Sequence, residues 1–376
     1  MHRKRGDALK KVLFVATVDS HIRHFHIPYL KYFKEKGYEV HVATANDENE
    51  KFDYCDKKHT VTFERCPFKP NNIKAIKQMK KLFEEEKFDV VHCHTPMGGV
   101  VTRIAAKNFR KNGLKVFYTA HGFHFYKGAP LVNWLVYYPV EKWLARYTDV
   151  LITINEEDYN RAKKFKANKI EKIDGIGVNE QKFHIEMTEE EKNELRKALG
   201  ISKNDVVLTY VAELIPRKNQ ALIIEAMKQI VAENKNVKLF LVGTGILKEQ
   251  YAKQIKELGL ENNVVLTGYR KDVPKIFKIT DIVVSTSKQE GLPINLVEAQ
   301  MSGLPTISTN VRGNNEVTVN EENGYLVNDK NDLSERILSL CSNKETREKF
   351  GENAKENSKK YRLEETLKQM DNIYNL

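Results

Sequence analysis

Short apolar runs alternate with amphipathic helical stretches along almost the whole chain, and that alternation leaves few folds open. The runs are KVLFVAT (11–17), YEVHVAT (38–44), HTVTFER (59–65), DVVHCHT (89–95), KVFYTAHG (115–122) and DVLITIN (149–155), then VVLTYVAE (206–213), VKLFLVG (237–243), NVVLTGY (263–269), DIVVSTS (281–287), PTISTN (305–310) and GYLV (324–327). Many are near-continuous Val, Ile, Leu and Phe rather than alternating polar and apolar. A strand of that kind is buried on both faces, as in a parallel sheet covered by helices on each side. Between them lie stretches of helical period: His26 to Lys36 stopped by Gly37, Asn72 to Lys87, 100–109, the aromatic 133–147 with Pro139 as an expected kink, and 156–165. The stretch TVDSHIRHFH after the first run is taken as a loop. A βαβα order with short strands predicts an α/β fold with doubly wound parallel sheets.

One segment breaks the rhythm. KIDGIGVNEQKFHIEMTEEE (172–191) holds the turn signals Asp174-Gly175, Gly177 and Asn179 and ends in an acidic helix start. With 376 residues the chain is long for one core. We therefore expect two Rossmann-like domains, residues 1–180 and 181–360. Ligands of such sheets bind outside the carboxyl ends of the strands, so two facing sheets would make a substrate cleft.

Charge is uneven. Residues 1–185 carry 34 Lys and Arg against 22 Asp and Glu, so the excess of +11 belongs to the first half. A phosphate-bearing substrate or an anionic membrane surface suits that half, and no nucleic-acid motif accompanies it. Trp134, Tyr137, Tyr138 and Trp143 read first as core; flanked by Lys127, Lys142 and Arg146, they also offer an interfacial membrane contact as the second reading. No apolar run has the length of a membrane span, and the basic start MHRKRGDALKK precedes only the short VLFVAT, which does not read as a signal peptide. Cys55, Cys66, Cys93 and Cys341 lie far apart, without metal spacing, which fits a reducing cytoplasm.

Chemistry concentrates at strand ends. In STSKQEGLPINLVEAQMSG (285–303), Glu290 sits on the loop after a strand and Glu298 inside the helix that follows. The free N–H groups at that helix start suit a phosphate, and a carboxylate beside them suits a sugar hydroxyl. An ordinary capped helix explains the same spacing. Lys218 follows VVLTYVAE across a short loop and would suit a diphosphate. Gly243 and Gly245 in LVGTGIL permit close backbone approach, but position 248 is Lys, so the dinucleotide fingerprint is missing and a nicotinamide enzyme is disfavoured. TGYRKDV (267–273) is a turn able to offer backbone groups to a base. His121, between a strand and Gly122, is a candidate acid–base or oxygen-contacting group. His92, His94, His121 and His124 show no third metal ligand at suitable spacing, so no metal site is expected.

Together these motifs resemble family 4 retaining glycosyltransferases of the GT-B fold, of the bacterial exopolysaccharide and capsule type. The resemblance rests on KVLFVATVDSHIRHFHIPYLKYFKEKGYEVHVAT, HCHTPMGG, TAHGFHF, VAELIPRKNQ, LVGTGIL and EGLPINLVEAQMSGLPTISTNVRGNNEV, and covers nearly the whole chain. It implies an acceptor-binding first domain, a nucleotide-sugar-binding second domain, and a last helix (361–376) that returns to the first. It implies catalytic roles for His121, Glu290 and Lys218: Glu290 on the donor sugar's hydroxyls, Lys218 on the diphosphate, His121 on the donor-sugar side. Arg217, Gly243, Gly245, Tyr269, Arg270, Gly291, Leu292, Pro293 and Ile294 would contact the donor, and Glu298 its ribose. The implied reaction moves a hexosyl or N-acetylhexosaminyl group with retention, from a UDP-sugar to a lipid-linked or growing saccharide, without a cofactor or metal. Its setting would be the cytoplasm, peripheral on the inner face of the plasma membrane. Two departures stand out: Ala212-Glu213-Leu214 replaces the usual Gly-Arg-Leu, leaving Arg217 to compensate, and the loop after the first strand has no glycine, leaving Ser20, His21 or Arg23 to act there. An epimerase on the same fold, or a non-catalytic nucleotide-sugar-binding module, are the alternatives.

Overall fold

The structure, a computed structural model, describes residues 9–45 and 51–375; the basic start (1–8) and the last residue of the expected terminal helix lie outside them. The chain forms two compact units, one running to Ile176 and taking in Leu367 onward, the other spanning Gly177–Thr366.

The first unit is built on seven strands: β1 (Lys11–Val15), β2 (Glu39–Thr44), β3 (Lys57–Thr60), β4 (Val90–Cys93), β5 (Lys115–Ala120), β6 (Val150–Thr153) and β7 (Lys169–Lys172). Their order is β3-β2-β1-β4-β5-β6-β7, and every pairing is parallel. The second unit has six: β8 (Val206–Val211), β9 (Val237–Val242), β10 (Val264–Gly268), β11 (Ile282–Ser285), β12 (Thr306–Thr309) and β13 (Gly324–Val327), in the parallel order β10-β9-β8-β11-β12-β13. The central strands are apolar on both faces because helices cover both. Val12 to Val15, Val207 and Leu208, and Ile282 to Val284 are fully buried.

Each order reverses direction once, between β1 and β4 and between β8 and β11. At such a switch point the loops leaving neighbouring strands diverge to opposite faces and open a crevice at the carboxyl edge. The chain's polar strand-end residues fall at these two places.

Three expectations need adjustment. The loop after β1 is instead a helix, Asp19–Phe25, followed by Ile27–Glu35. The third strand comes earlier than HTVTFER, at Lys57–Thr60. The polar edge strand β7 lies just ahead of the segment read as a linker, ending on its first residue. The glycine missing from the first strand's loop is supplied from across the crevice. A Cβ on Gly98 would stand 2.7 Å from Oγ1 of Thr95 and 3.5 Å from Cα of Ala16. The first turn of the helix Pro96–Ala106 can therefore press against the loop after β1. Thr95 itself takes φ 60°, ψ 148°, a sparsely populated conformation. It is held there by Thr17, whose N–H and hydroxyl both donate to Oγ1 of Thr95. The helix Leu131–Leu144 continues through Pro139. The terminal helix Leu363–Tyr374 puts Tyr374 against Phe33, Phe117 and His92 of the first unit.

Candidate active site

In the second unit the loops after β8 and β11 are stitched together. Asn219 adopts a left-handed conformation (φ 52°), which Asn tolerates better than most residues, and turns the chain into the helix Gln220–Glu233. Its side-chain N–H donates to the carbonyl of Thr286, and the Thr286 hydroxyl donates to the carbonyl of Asn219. The buried Tyr210 hydroxyl donates to the Lys218 carbonyl at 2.6 Å and also meets Ser287. This frame aims Lys218 and Arg217 at Glu290. Nζ of Lys218 donates to one carboxylate oxygen at 2.6 Å, and Nη1 of Arg217 to the other at 2.8 Å.

Glu290 is 6 % exposed. Burial works to raise its pKa, but the charges of Lys218 and Arg217 outweigh burial and hold the carboxyl below its ordinary range. Its backbone is pinned from the turn after β12. The Glu290 N–H donates to the carbonyl of Arg312, and Nε of the buried Arg312 donates back to the carbonyl of Glu290. Gly313 makes the approach possible, since at φ +84° a Cβ there would lie 2.8 Å from that of Glu290. Arg312 and Tyr210 escaped the sequence reading. The VRGNN stretch has no spacing that marks a role, and an aromatic inside a strand reads as core.

Glu298 lies in the helix Ile294–Met301, as its spacing suggested, with Pro293 at the N-cap. Burial raises its carboxyl to about 7, with Lys182 opposing. Gly291 to Pro293 form the turn that leads from Glu290 into the helix starting at Ile294.

The two glycines after β9 serve the chain's own backbone first. A Cβ on Gly243 would meet the Ala212 carbonyl at 2.0 Å, and one on Gly245 the Leu214 carbonyl at 2.3 Å. The loops after β8 and β9 thus pack main chain to main chain. Tyr269 is exposed, and Arg270 forks onto Asp272, with contacts of 2.8 and 2.5 Å. Glu213, at the position of the departure, has an exposed side chain, while its carbonyl accepts from Gln220.

The first unit carries the other half of the polar set at its own switch point. His94 follows β4, His121 follows β5, and His21 sits on the helix after β1. Burial pushes the pKa of His121 well below the ordinary value and that of His21 to about 4, so both are neutral at pH 7. His121 can therefore hydrogen-bond an oxygen but brings no positive charge. Next to them a cavity of about 520 Å³ is walled by Met97, Val100, Phe123, Phe125, Val136 and Val140, with Arg65, His21, His124 and Glu141 among its polar members. Below it, Arg103 is fully buried, pairs with Glu141 at 2.9 Å and lies over the Tyr118 ring.

Two parallel sheets, each with polar groups at its switch point, and a cation pair clasping a loop carboxylate define the class: a nucleotide-sugar transferase architecture of the GT-B type. Residues 191–357 match the family described as "Glycosyl transferases group 1", and residues 11–155 that described as "Glycosyl transferase 4-like". The chain is 42% identical over 369 residues to the putative glycosyltransferase EpsD of Bacillus subtilis, covering 97% of this chain and 96% of that protein. It is 35% identical over 300 residues to the Escherichia coli UDP-Gal:alpha-D-GlcNAc-diphosphoundecaprenol alpha-1,3-galactosyltransferase, covering 77% and 76% of the two chains. Among solved structures, Anabaena HepE in complex with UDP and glucose superposes with a TM-score of 0.78 at 20% identity, over 98% of this chain and all of that one. The chain belongs to the glycosyltransferase family these relatives represent.

Proposed function

We propose that the protein is a retaining hexosyl- or N-acetylhexosaminyltransferase that moves a sugar from a UDP-sugar to a lipid-linked or growing saccharide in polysaccharide assembly. The observation that carries the proposal is the Lys218–Glu290–Arg217 cluster at the switch point of the second sheet. Its formal charge is +1, which draws a diphosphate, while its carboxylate accepts from sugar hydroxyls. Gly291 to Ile294, Gly243, Gly245 and the Tyr269–Arg270 turn border the nucleotide, and Glu298 takes the ribose. Lys218 and Arg217, with the N–H groups at the start of the helix Ile294–Met301, stabilise the leaving diphosphate, and the transfer asks for no metal there. Arg217 stands in for the arginine replaced by Glu213. His121, neutral, contacts the sugar.

The acceptor hydroxyl attacks the anomeric carbon on the face the diphosphate leaves. Its proton passes to the departing phosphate oxygen as the carbon–oxygen bond to UDP breaks.

The apolar cavity of the first unit, with Arg65 on its wall, suits the lipid-proximal part of an acceptor. A membrane setting has support from the helix Leu131–Leu144. Trp134, Tyr137 and Tyr138 turn inward onto Phe125, His124 and Phe165. Leu131, Val132, Leu135, Val140 and Trp143 stay exposed. Among the described residues no helix is long and apolar enough to cross a membrane. We propose a cytoplasmic protein resting on anionic lipid through this face and the basic first half.

The decisive test incubates the protein with UDP-glucose, UDP-galactose and their N-acetyl forms, with and without a diphosphate-lipid-linked N-acetylhexosamine, and reads product anomer by NMR. Acceptor-dependent formation of an α-linked product is expected. Product from the donor alone would mean an epimerase, and UDP binding without turnover a binding module.

A further inference from the structure

We propose that His21, His26, His94 and His121 form a four-imidazole site for one borderline transition-metal ion, Zn²⁺ or Co²⁺, at the switch point of the first sheet.

The four side chains come from separate places. His21 is on the helix Asp19–Phe25, His26 is the junction residue before Ile27–Glu35, His94 follows β4 and His121 follows β5. One ligand nitrogen from each lies within 4.8 Å of the other three. Nε2 of His121 stands 3.4 Å from Nε2 of His21 and 3.2 Å from Nδ1 of His94. A tetrahedral Zn²⁺ with Zn–N of about 2.0–2.1 Å holds its ligand nitrogens about 3.3 Å apart. The spacing is that of a ligand set.

Hydrogen bonding alone does not satisfy this cluster. An imidazole nitrogen either donates its one proton or offers its one lone pair, so Nε2 of His121 cannot bond fully to both neighbours. Both nitrogens of the fully buried His26 and Nε2 of His94 have no hydrogen-bond partner. Buried polar atoms left in that state call for an ion or water. Five of the six ring pairs have centroids 4.7–6.0 Å apart, as rings radiating from a shared centre would. The sixth, His26 on His94, is stacked at 3.7 Å. Metal binding would turn the His26 ring, which no hydrogen bond restrains.

An all-nitrogen set excludes Ca²⁺ and Mg²⁺, which take oxygen. Four protein ligands make a closed, structural site that would tie together the loops after β1, β4 and β5. Nδ1 of His121 remains for the sugar contact proposed above. The second histidine cluster of this unit differs, because His41 is satisfied by His59 and Glu39, and Glu86 by Lys11 and Lys57.

The test uses the untagged full chain, stripped with a chelator and then titrated with Zn²⁺ alone. One equivalent retained through gel filtration is expected by elemental analysis, with Tm raised by about 5–10 °C at a hundredfold excess over Kd. Co²⁺ should give the intense visible bands of a tetrahedral site. His21→Ala, at a partly buried position, and His26→Ala should each abolish retention with the circular dichroism unchanged, while His59→Ala should keep it. Failure of wild type to retain metal or shift Tm would overturn the proposal. So would an octahedral Co²⁺ spectrum, unaltered retention in both cluster variants, or loss on His59→Ala. The Co²⁺ spectrum of the wild type decides the matter even if a variant misfolds.

Discussion

Glu290→Gln separates the two duties proposed for the cation–carboxylate cluster. The amide keeps the size of the side chain and removes one negative charge 2.6 Å from Lys218 and 2.8 Å from Arg217. The cluster then carries a formal +2 instead of +1. A diphosphate held against both cations would stand about 5–6 Å from the lost charge, for which Coulomb's law at an effective dielectric near 20 gives about 3 kcal/mol. The Arg217 side chain is 43% exposed. Solvent screening therefore reduces the gain to about 1 kcal/mol, a roughly five-fold tighter Kd for UDP. Turnover should move the other way, falling on the order of 10²-fold, because the sugar loses its anionic acceptor. Lys218→Ala should weaken UDP binding and slow transfer together. Calorimetry with UDP and initial rates with the UDP-sugar measure the two effects separately. If Glu290→Gln weakens UDP as much as Lys218→Ala, in a protein of unchanged Tm, the assignment of Glu290 to the sugar is wrong.

Three further outcomes follow from the same geometry. Glu298, raised to about 7 by burial, holds a proton in the folded state that the unfolded chain releases near 4.5. Its contribution is full below about pH 4.5 and is lost as pH rises through 7, so Glu298→Gln should stabilise the protein by about 2 kcal/mol at pH 8 and by little at pH 4.5; equal denaturant midpoint shifts at both pH values would refute this. Gly243→Ala places a methyl 2.0 Å from the Ala212 carbonyl at φ +146° and should lower stability by at least about 2 kcal/mol while damaging UDP binding; an unchanged urea midpoint would contradict the packing described. Arg103→Met leaves Glu141 without its buried partner and should cost about 3–5 kcal/mol, whereas Arg103→Met with Glu141→Leu should recover much of it; a double variant no better than the single would show the pair is not the cause.

Much of the fold was readable because parallel strands covered on both sides must be apolar runs, and β1, β8 and β11 are that. The readings that missed have physical causes. β7 is KIEK at a sheet edge, with three charged residues in four, so no apolar run marks it. The helix Asp19–Phe25 has one fully buried apolar anchor, Ile22, too few to set a helical period. In the aromatic helix the sequence leaves core and membrane contact both open for Trp134, Tyr137, Tyr138 and Trp143; packing on Phe125, His124 and Phe165 takes the first three as core, and Trp143 stays exposed with Leu131, Val132, Leu135 and Val140.

The sequence by itself determined the class of fold, the loop position of Glu290 and the helical position of Glu298, because periodicity and the Gly-Pro pair are local properties. Only the tertiary structure decided that Lys218 and Arg217 close on Glu290 rather than stand free, since the contact joins loops 72 and 73 residues apart across the reversal between β8 and β11. The same holds for the four histidines. No spacing along the chain announces them, and they meet because β1, β4 and β5 lie side by side and deliver their following loops to one edge of the sheet.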